Sequence, residues 1–361
     1  MLINHGVPEQ LFAGSSNYEA VHLFSEKLAN VGAEEKIALM KQMEAECFSL
    51  SDKVKSVNYC VLESSDNERL IANTKGLEKR EKSNSAYVLL SVVVKDGAGF
   101  KSAMKFKMTK DFSDISPQAL AKEAVDEALS YIGAASIDSK NYPIILKNRA
   151  AASLLQVFTP SISADNIHKG KSRLVDKIGE AIAAPSITLI DDPHRQDGMA
   201  SRTFDGEGMA TSKLTVVEKG VLKTYLHNLK TANKDRVQST GHALRPSHKE
   251  TITIAPTNMY IQPGGRTFEQ LVEAEKEALI ITDLQGLHSG ANAVSGDFSL
   301  AANGYLVKNG KIERPVDQIT VAGNFYTLLL QVEAVGDDLE FGSDSVGSPS
   351  LKIKELSIGG E

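Results

Sequence analysis

A chain of 361 residues with 42% hydrophobic content has room and apolar surface for two domains of about 100 to 200 residues each, which excludes a disordered chain or a lone small scaffold. Its 40 Lys and Arg against 46 Asp and Glu, for a net charge of -6, are interleaved as in Lys75-Gly-Leu-Glu78-Lys79-Arg80-Glu81-Lys82, so no basic face for direct nucleic-acid binding is expected. Only Cys47 and Cys60 occur, no run of about 18 apolar residues exists, and Met1 to Pro8 lacks the basic and apolar regions of a signal peptide; a reducing, cytoplasmic setting without a membrane span is expected.

The first 50 residues read as helical, because Ala20, Leu23, Phe24 and Leu28, then Ile37, Met40, Met43 and Phe48, recur at three- and four-residue spacing. Residues 57–63 and 69–72 are strand-like and flank Ser64, Ser65, Asp66 and Asn67, a tetrad that predicts a hairpin turn. Residues 86–94 and 99–108 form a second β-rich pair joined through Lys95-Asp-Gly-Ala98. Ser116 as N-cap and Pro117 at the first position then open a helix whose apolar face carries Leu120, Ala124, Val125, Ala128, Leu129 and Ile132, ending at Gly133. The polar stretch 134–142 before Pro143 places a boundary near residue 140, between an α+β domain at 1–140 and a β-rich domain at 141–361.

The second half opens with a short strand at 144–146 and a helix carrying Ala151, Leu154, Leu155 and Phe158, followed by a helix from a Ser172 cap through Ile182. Residues 214–217 pair with 221–226 across Glu218-Lys-Gly220, and 305–308 face 311–313 across Asn309-Gly310, a type I′ turn signal. Thr267-Phe-Glu-Gln270 is a capping box for a helix through Leu279. Strands and helices are segregated, so the fold class is α+β.

Most chemistries lack their signatures. Gly170-Lys171-Ser172 ends like a P-loop, but Asp165 stands where the first glycine is required. No dinucleotide or nucleophile-elbow motif occurs, and no histidine is followed by glutamate as on a zincin helix. Asp191-Asp192-Pro193-His194 offers either hard ligands from a loop or, as the favoured reading, a polar turn after a strand at 187–190. Both cysteines lie in apolar surroundings and read as structural.

What remains is a set of glycine-punctuated polar segments: Phe204-Asp-Gly-Glu-Gly208, Ser239-Thr-Gly-His-Ala-Leu-Arg245, Pro256-Thr-Asn258, Gly290-Ala-Asn292 and Ser295-Gly-Asp-Phe-Ser299. Asn292, Ser295, Asp297 and Ser299 are the candidate surface for a peptide or partner, with Arg245 and Asn258 nearby, set against a purely structural role in turns.

Taken in order, SRLVDKIGEAIAAPSITLIDDP, FDGEG, STGHALR, PTNMY, VSGDFSLAANGYLVKNGKIERPV, ITVAGNF and VGDDLEF resemble the PmbA/TldD family of metallopeptidase subunits, formerly named modulators of DNA gyrase. The resemblance runs from about Glu34 to the C-terminus and implies a cytoplasmic dimer engaged in proteolysis. The TldD branch carries an HExxxH helix and a C-terminal cysteine that hold zinc. At the place of that helix this chain reads NRAAASLLQVF from Asn148 to Phe158, and no cysteine follows Cys60. The resemblance is therefore closest to the PmbA, or TldE, branch. It implies a chain with no metal or catalytic residues of its own, a TldD-type zinc-bearing partner and a homodimer in isolation. An autonomous peptidase using His168, His194 or Asp191 with Asp192, and a gyrase-associated regulator, are the alternatives. The first 33 residues do not match the family's usual N-terminal segment, which suggests a shortened or divergent member.

Overall fold

The computed structural model describes residues 11–342 and 345–361. Helix α1 (Glu26–Ala29) and helix α2 (Ala33–Leu50) account for the helical periodicity near the start. Ala20, Leu23 and Phe24 precede them in extended chain instead of helix. Tertiary partners hold that stretch open: the Tyr18 hydroxyl donates to the Gly208 carbonyl at 2.8 Å, and the Asn84 side chain accepts from Ser25 N at 2.8 Å. The beginning of the helical expectation, and the signal-peptide reading of Met1 to Pro8, lie outside the described residues.

Strands β1 (Val54–Ala72), β2 (Glu78–Asp96) and β3 (Gly99–Thr109) form one antiparallel sheet. The expected turn at 64–67 does not form. β1 runs straight through it, paired with β2 as far as Ala72 opposite Glu78, and the chain reverses at 73–77. There Asn73 N donates to Leu77 O at 2.9 Å and Gly76 takes φ 89°, a conformation glycine adopts without the Cβ clash. Helix α3 (Pro117–Ser130) matches its signal, with Ser116 Oγ accepting from Ala119 N at 3.2 Å. It packs with α2 on the sheet around Met43, Cys47, Val88, Leu90, Val92, Ala124 and Val125.

The second half begins with β4 (Lys140–Leu146), α4 (Asn148–Phe158) and α5 (Ala164–His168). The expected helix at 172–182 does not form. Its hydroxyl donates to Ser161 O at 2.7 Å and accepts from Leu174 N at 3.0 Å. Asp176 and Gly179 take left-handed φ of 59° and 86°, and Gly179 N and Ile182 N donate to Leu222 O and Gly220 O, so long-range backbone bonds replace a helical ladder.

Then come β5 (Leu189–Asp191), β6 (Leu214–Glu218), β7 (Val221–Leu222), α6 (Leu229–Asp235), β8 (Ala243–Leu244), β9 (Thr253–Ile254) and β10 (Met259–Ile261). β7 pairs with β6 as expected but is only two residues long, and Asp191 belongs to a strand end, not to a turn. Helix α7 (Phe268–Glu273) has the expected capping box, with Thr267 Oγ1 accepting from Gln270 N at 3.3 Å. It stops short of Leu279, which lies in β11 (Glu277–Gln285). The run Ala278 to Ile281 is wholly buried, and such a run reads alike as helix or central strand until its neighbours are known.

After α8 (Leu287–Gly290), strands β12 (Asp297–Lys308) and β13 (Lys311–Asn324) turn at Asn309 and Gly310, with φ of 49° and 73°, as a type I′ hairpin requires. Helix α9 (Phe325–Leu330) and β14 (Val332–Val335), β15 (Glu340–Phe341), β16 (Val346–Ser348) and β17 (Leu351–Gly359) complete the α+β fold. One sheet has the order β15-β16-β10-β5-β6-β7. The other runs β13-β12-β11-β4-β17-β14, and a β13–β17 pairing closes five of its strands into a ring that leaves those strands no open edge. The larger core, from Ile137 to Ile358, lies between these sheets and α4. Among the described residues no helix is long and apolar enough to cross a membrane.

Candidate functional site

A cleft of about 1000 Å³ opens where the β1–β2 arm meets the second half. One wall is six consecutive residues of β1, Asn67 to Ala72. The opposite side takes Gln156, Thr159 and Pro160 from the end of α4 and beyond it, Arg202 and Gly206 from the loop after β5, and Arg245 with its neighbours after β8.

Three of the glycine-punctuated segments converge behind this cleft through buried carboxylates. Asp191 is fully buried at the end of β5; its Oδ1 accepts from Thr257 N at 2.7 Å, and its Oδ2 accepts from the Thr257 hydroxyl and from His242 Nε2 at 3.0 Å. Burial opposes ionisation, but His242 and the Thr257 bonds outweigh it and hold the Asp191 carboxyl below the usual carboxylate range. Asp205 is also fully buried, and its two oxygens accept from Glu207 N at 2.9 Å, Met209 N at 3.0 Å and Ala243 N at 3.0 Å. Burial there wins over those bonds and pushes the carboxyl up. Gly206 N donates to Ala243 O at 2.7 Å, which ties the first segment to the second.

Arg202 lies within electrostatic reach of both carboxylates, 8% exposed, and its Nε and Nη2 have no hydrogen-bond partner among the described residues. Beside it Thr203 N and Oγ1 donate to Glu81 Oε2 at 2.7 and 2.8 Å. The other Glu81 oxygen accepts from Arg69 Nη2 at 3.0 Å, while the Arg69 guanidinium stacks 4.3 Å from the Phe204 ring and donates to its carbonyl at 2.5 Å. The tip of the β1–β2 arm seats on Gly208, where φ is 82° and a Cβ would stand 2.4 Å from Leu77 Cδ2. Arm and loop are thereby fixed to each other.

Of the expected site residues, Arg245 lines the cleft, with Nε and Nη2 directed to Glu250 O at 3.3 Å and His248 O at 3.4 Å. Asn258 is a buried brace, 1% exposed, and not a lining side chain. Its Oδ1 accepts from Ala200 N at 3.0 Å and its Nδ2 donates to Asp192 O and Ser201 Oγ. Asn292, Ser295, Asp297 and Ser299 are not among the cleft-lining residues. Asn292 Oδ1 accepts from Val294 N and Ser295 N, and Asn324 Nδ2 donates to Ser295 O and Asp297 Oδ1, so their loop closes on itself. The Asn324 bond, with one from Ser295, holds the Asp297 carboxyl below its ordinary value. Ser299 is exposed on β12 opposite Ala322.

Helix α4 carries no histidine, cysteine or carboxylate. Along α4, Asn148 Nδ2 donates to Asp338 O at 3.0 Å and Arg149 Nε pairs with Glu340 at 2.5 Å, while the cleft-facing end offers an amide and a hydroxyl. Zinc takes thiolate, imidazole or carboxylate ligands. Among the described residues no group of three or more His, Cys, Asp or Glu could hold a metal ion. The alternative ligands are engaged apart: His168 Nε2 lies 2.6 Å from Asp235, His194 Nδ1 lies 3.1 Å from Glu19, and Asp192 lies 3.4 Å from Lys213. Arg69, Glu81 and Arg202 escaped sequence reasoning: Arg69 opens a strand-like segment, Glu81 sits in an interleaved charge run that reads as solvated surface, and Arg202 just precedes the Phe204 segment.

Residues 139–360 match the family model described as the PmbA/TldA metallopeptidase C-terminal domain, and residues 26–131 match that of its central domain. A solved structure from Thermotoga maritima, described as a modulator of a DNA gyrase, is 33% identical and superposes with a TM-score of 0.93 over 97% of this chain and 80% of its own. Metalloprotease PmbA of Escherichia coli O157:H7 is 25% identical over 334 residues, 92% of this chain and 71% of that protein. TldE from Thermococcus kodakarensis shares the fold, with a TM-score of 0.90 at 22% identity over 98% of this chain and 80% of its own. The chain belongs to the PmbA/TldD metallopeptidase family.

Proposed function

We propose that this chain is a TldE-like, non-catalytic subunit of a cytoplasmic zinc metallopeptidase complex that degrades peptides, and that it shapes a cleft for a TldD-type partner. The observation that carries this reading is that the end of α4 and the turn after it present Gln156, Thr159 and Pro160 to the cleft, none of them a histidine, cysteine or carboxylate. A peptide-binding role is supported by β1, which is an edge strand of its sheet and lines the cleft with six residues in a row. The unpaired backbone groups of an edge strand suit an extended chain.

Assembly follows from the same division of labour. A homologous pair forms a pseudo-symmetric dimer, so the chain pairs with itself when alone and with a TldD-type chain when one is supplied, through a specific interface of roughly 1,200 Å² or more carried mainly by residues 141–361. Light scattering on each chain and on the mixture, with hydrolysis of an unstructured peptide, tests both parts. The expected result is a dimer alone without hydrolysis, and a heteromer with hydrolysis once the partner is present. Metal analysis after dialysis against a mild chelator should find no stoichiometric zinc on this chain alone. A monomer that cleaves peptide by itself, or near-equimolar retained zinc, overturns the reading.

A further inference from the structure

We propose that the cleft selects an extended peptide carrying an acidic side chain, and that Arg245 is the residue that reads it. This rests on the peptide-binding reading of the cleft and names the class of peptide that is taken. Arg245 is exposed on the cleft wall, so a ligand can reach it. Its guanidinium has two long contacts, to Glu250 O at 3.3 Å and His248 O at 3.4 Å, and no carboxylate at ion-pair distance among the described residues. The Glu250 carboxylate accepts from the Ser247 hydroxyl at 3.2 Å instead.

The other charges of the lining are already matched or covered. Arg69 pairs with Glu81 at 3.0 Å, Glu68 pairs with Arg80 outside the lining at 2.9 Å, and Arg202 is buried. Among the described residues, Arg245 is thus the one lining Lys or Arg that is both exposed and unpaired. A nucleic acid needs several such cations along its backbone. A single guanidinium suits a single carboxylate, which its planar fork can hold through two N–H groups.

The second observation is the spacing of the walls. The β1–β2 arm closes with Asn73 N donating to Leu77 O at 2.9 Å. The alternation of an antiparallel ladder then directs the backbone groups of Glu68, Leu70 and Ala72 away from β2, to the open edge of β1. Phe204 to Gly206 connect that wall to Arg245. Arg69 donates to the Phe204 carbonyl at one end; at the other, a Cβ on Gly206 would stand 3.0 Å from Arg245 N and 3.2 Å from Arg245 Cβ. Two residues of chain span at most about 7 Å, and a strand added to β1 would lie about 4.8 Å from it. The Arg245 guanidinium is therefore within side-chain reach of such a strand. Its backbone is pinned against Gly206, while its head remains available.

The test is fluorescence anisotropy on the full chain with an unstructured decapeptide, N-terminally labelled, C-terminally amidated and uncharged except for one central Glu. The comparison is the same peptide carrying Gln. The Glu peptide should bind about fivefold more tightly at low salt, and the gap should narrow as salt screens the pair. Arg245→Gln should bring the Glu peptide down to the level of the Gln peptide. Arg245→Lys, which keeps the charge without the fork, should hold the gap in part. Lys249→Gln, an exposed change outside the lining, should keep the gap whole. The wild-type comparison at low and high salt remains decisive if an Arg245 variant fails to fold. Equal binding of the two peptides by the wild type overturns the acidic selectivity but leaves the peptide cleft standing. Binding of neither overturns both. A gap that survives in Arg245→Gln, or vanishes equally in Lys249→Gln, overturns the assignment to Arg245.

Discussion

Asp191→Ala lowers the unfolding free energy by about 3 to 5 kcal/mol, as expected when one partner of a buried charged network is removed. The carboxylate is fully buried, and its loss strands His242 Nε2, Thr257 N and the Thr257 hydroxyl while depriving buried Arg202 of a compensating charge. Asp191→Asn keeps one acceptor oxygen and should cost less. The folded-state pKa of Asp191 lies below the ordinary value of 3.8, so its stabilisation is complete above that value and is lost as pH falls through the lower folded one. Asp205 works in the opposite sense: its carboxyl is pushed up by burial, so ionising it costs stability as pH rises from 3.8 through the folded value. Urea titrations by circular dichroism, in a chain with no tryptophan, should show an acid limb that flattens in Asp191→Asn. An unchanged midpoint in Asp191→Ala would show that the network carries no net stability.

Gly304→Val should be more severe still, at about 4 kcal/mol or more, with loss of soluble protein as the visible result. Gly304 lies in β12 where its register with β11 shifts, and a Cβ there would stand 1.7 Å from Ile280 O. That obstacle is backbone in a strand held between β12 and β4, so neither side can yield without breaking the ladder that closes the ring. Gly265→Ala makes the matched control: a Cβ there meets nothing within 4 Å, and the change should stay within about 0.5 kcal/mol. Comparable soluble yield and thermal midpoint for the two variants would sink the prediction.

The α+β class, the Ser116–Pro117 helix start, the Thr267 capping box and the Asn309–Gly310 hairpin were all legible in the sequence. The three local motifs depend on residues within about four positions of one another, so local backbone chemistry decides them, whereas the class follows from the segregation of strand and helix signals. The family's order of glycine-punctuated segments was equally legible, because each is a short run read as it stands in the chain. None of these signals says which segments meet.

The tertiary structure decided the rest. Ser64 to Asn67 carries turn-forming residues yet stays strand, because β2 pairs along its whole length. Residues 172–182 have the composition of a helix, but Gly220 and Leu222 take their backbone donors. Glu81 sits in a stretch of alternating charge that reads as solvated surface. It turns inward because Thr203, 122 residues away, supplies two donors to it. Arg202 shows nothing unusual in the sequence; only the assembled fold buries it within electrostatic reach of two buried carboxylates that hydrogen-bond to other groups. A side chain's local neighbours are written in the chain, whereas burial and unmet hydrogen bonds are properties of the surfaces that folding brings together.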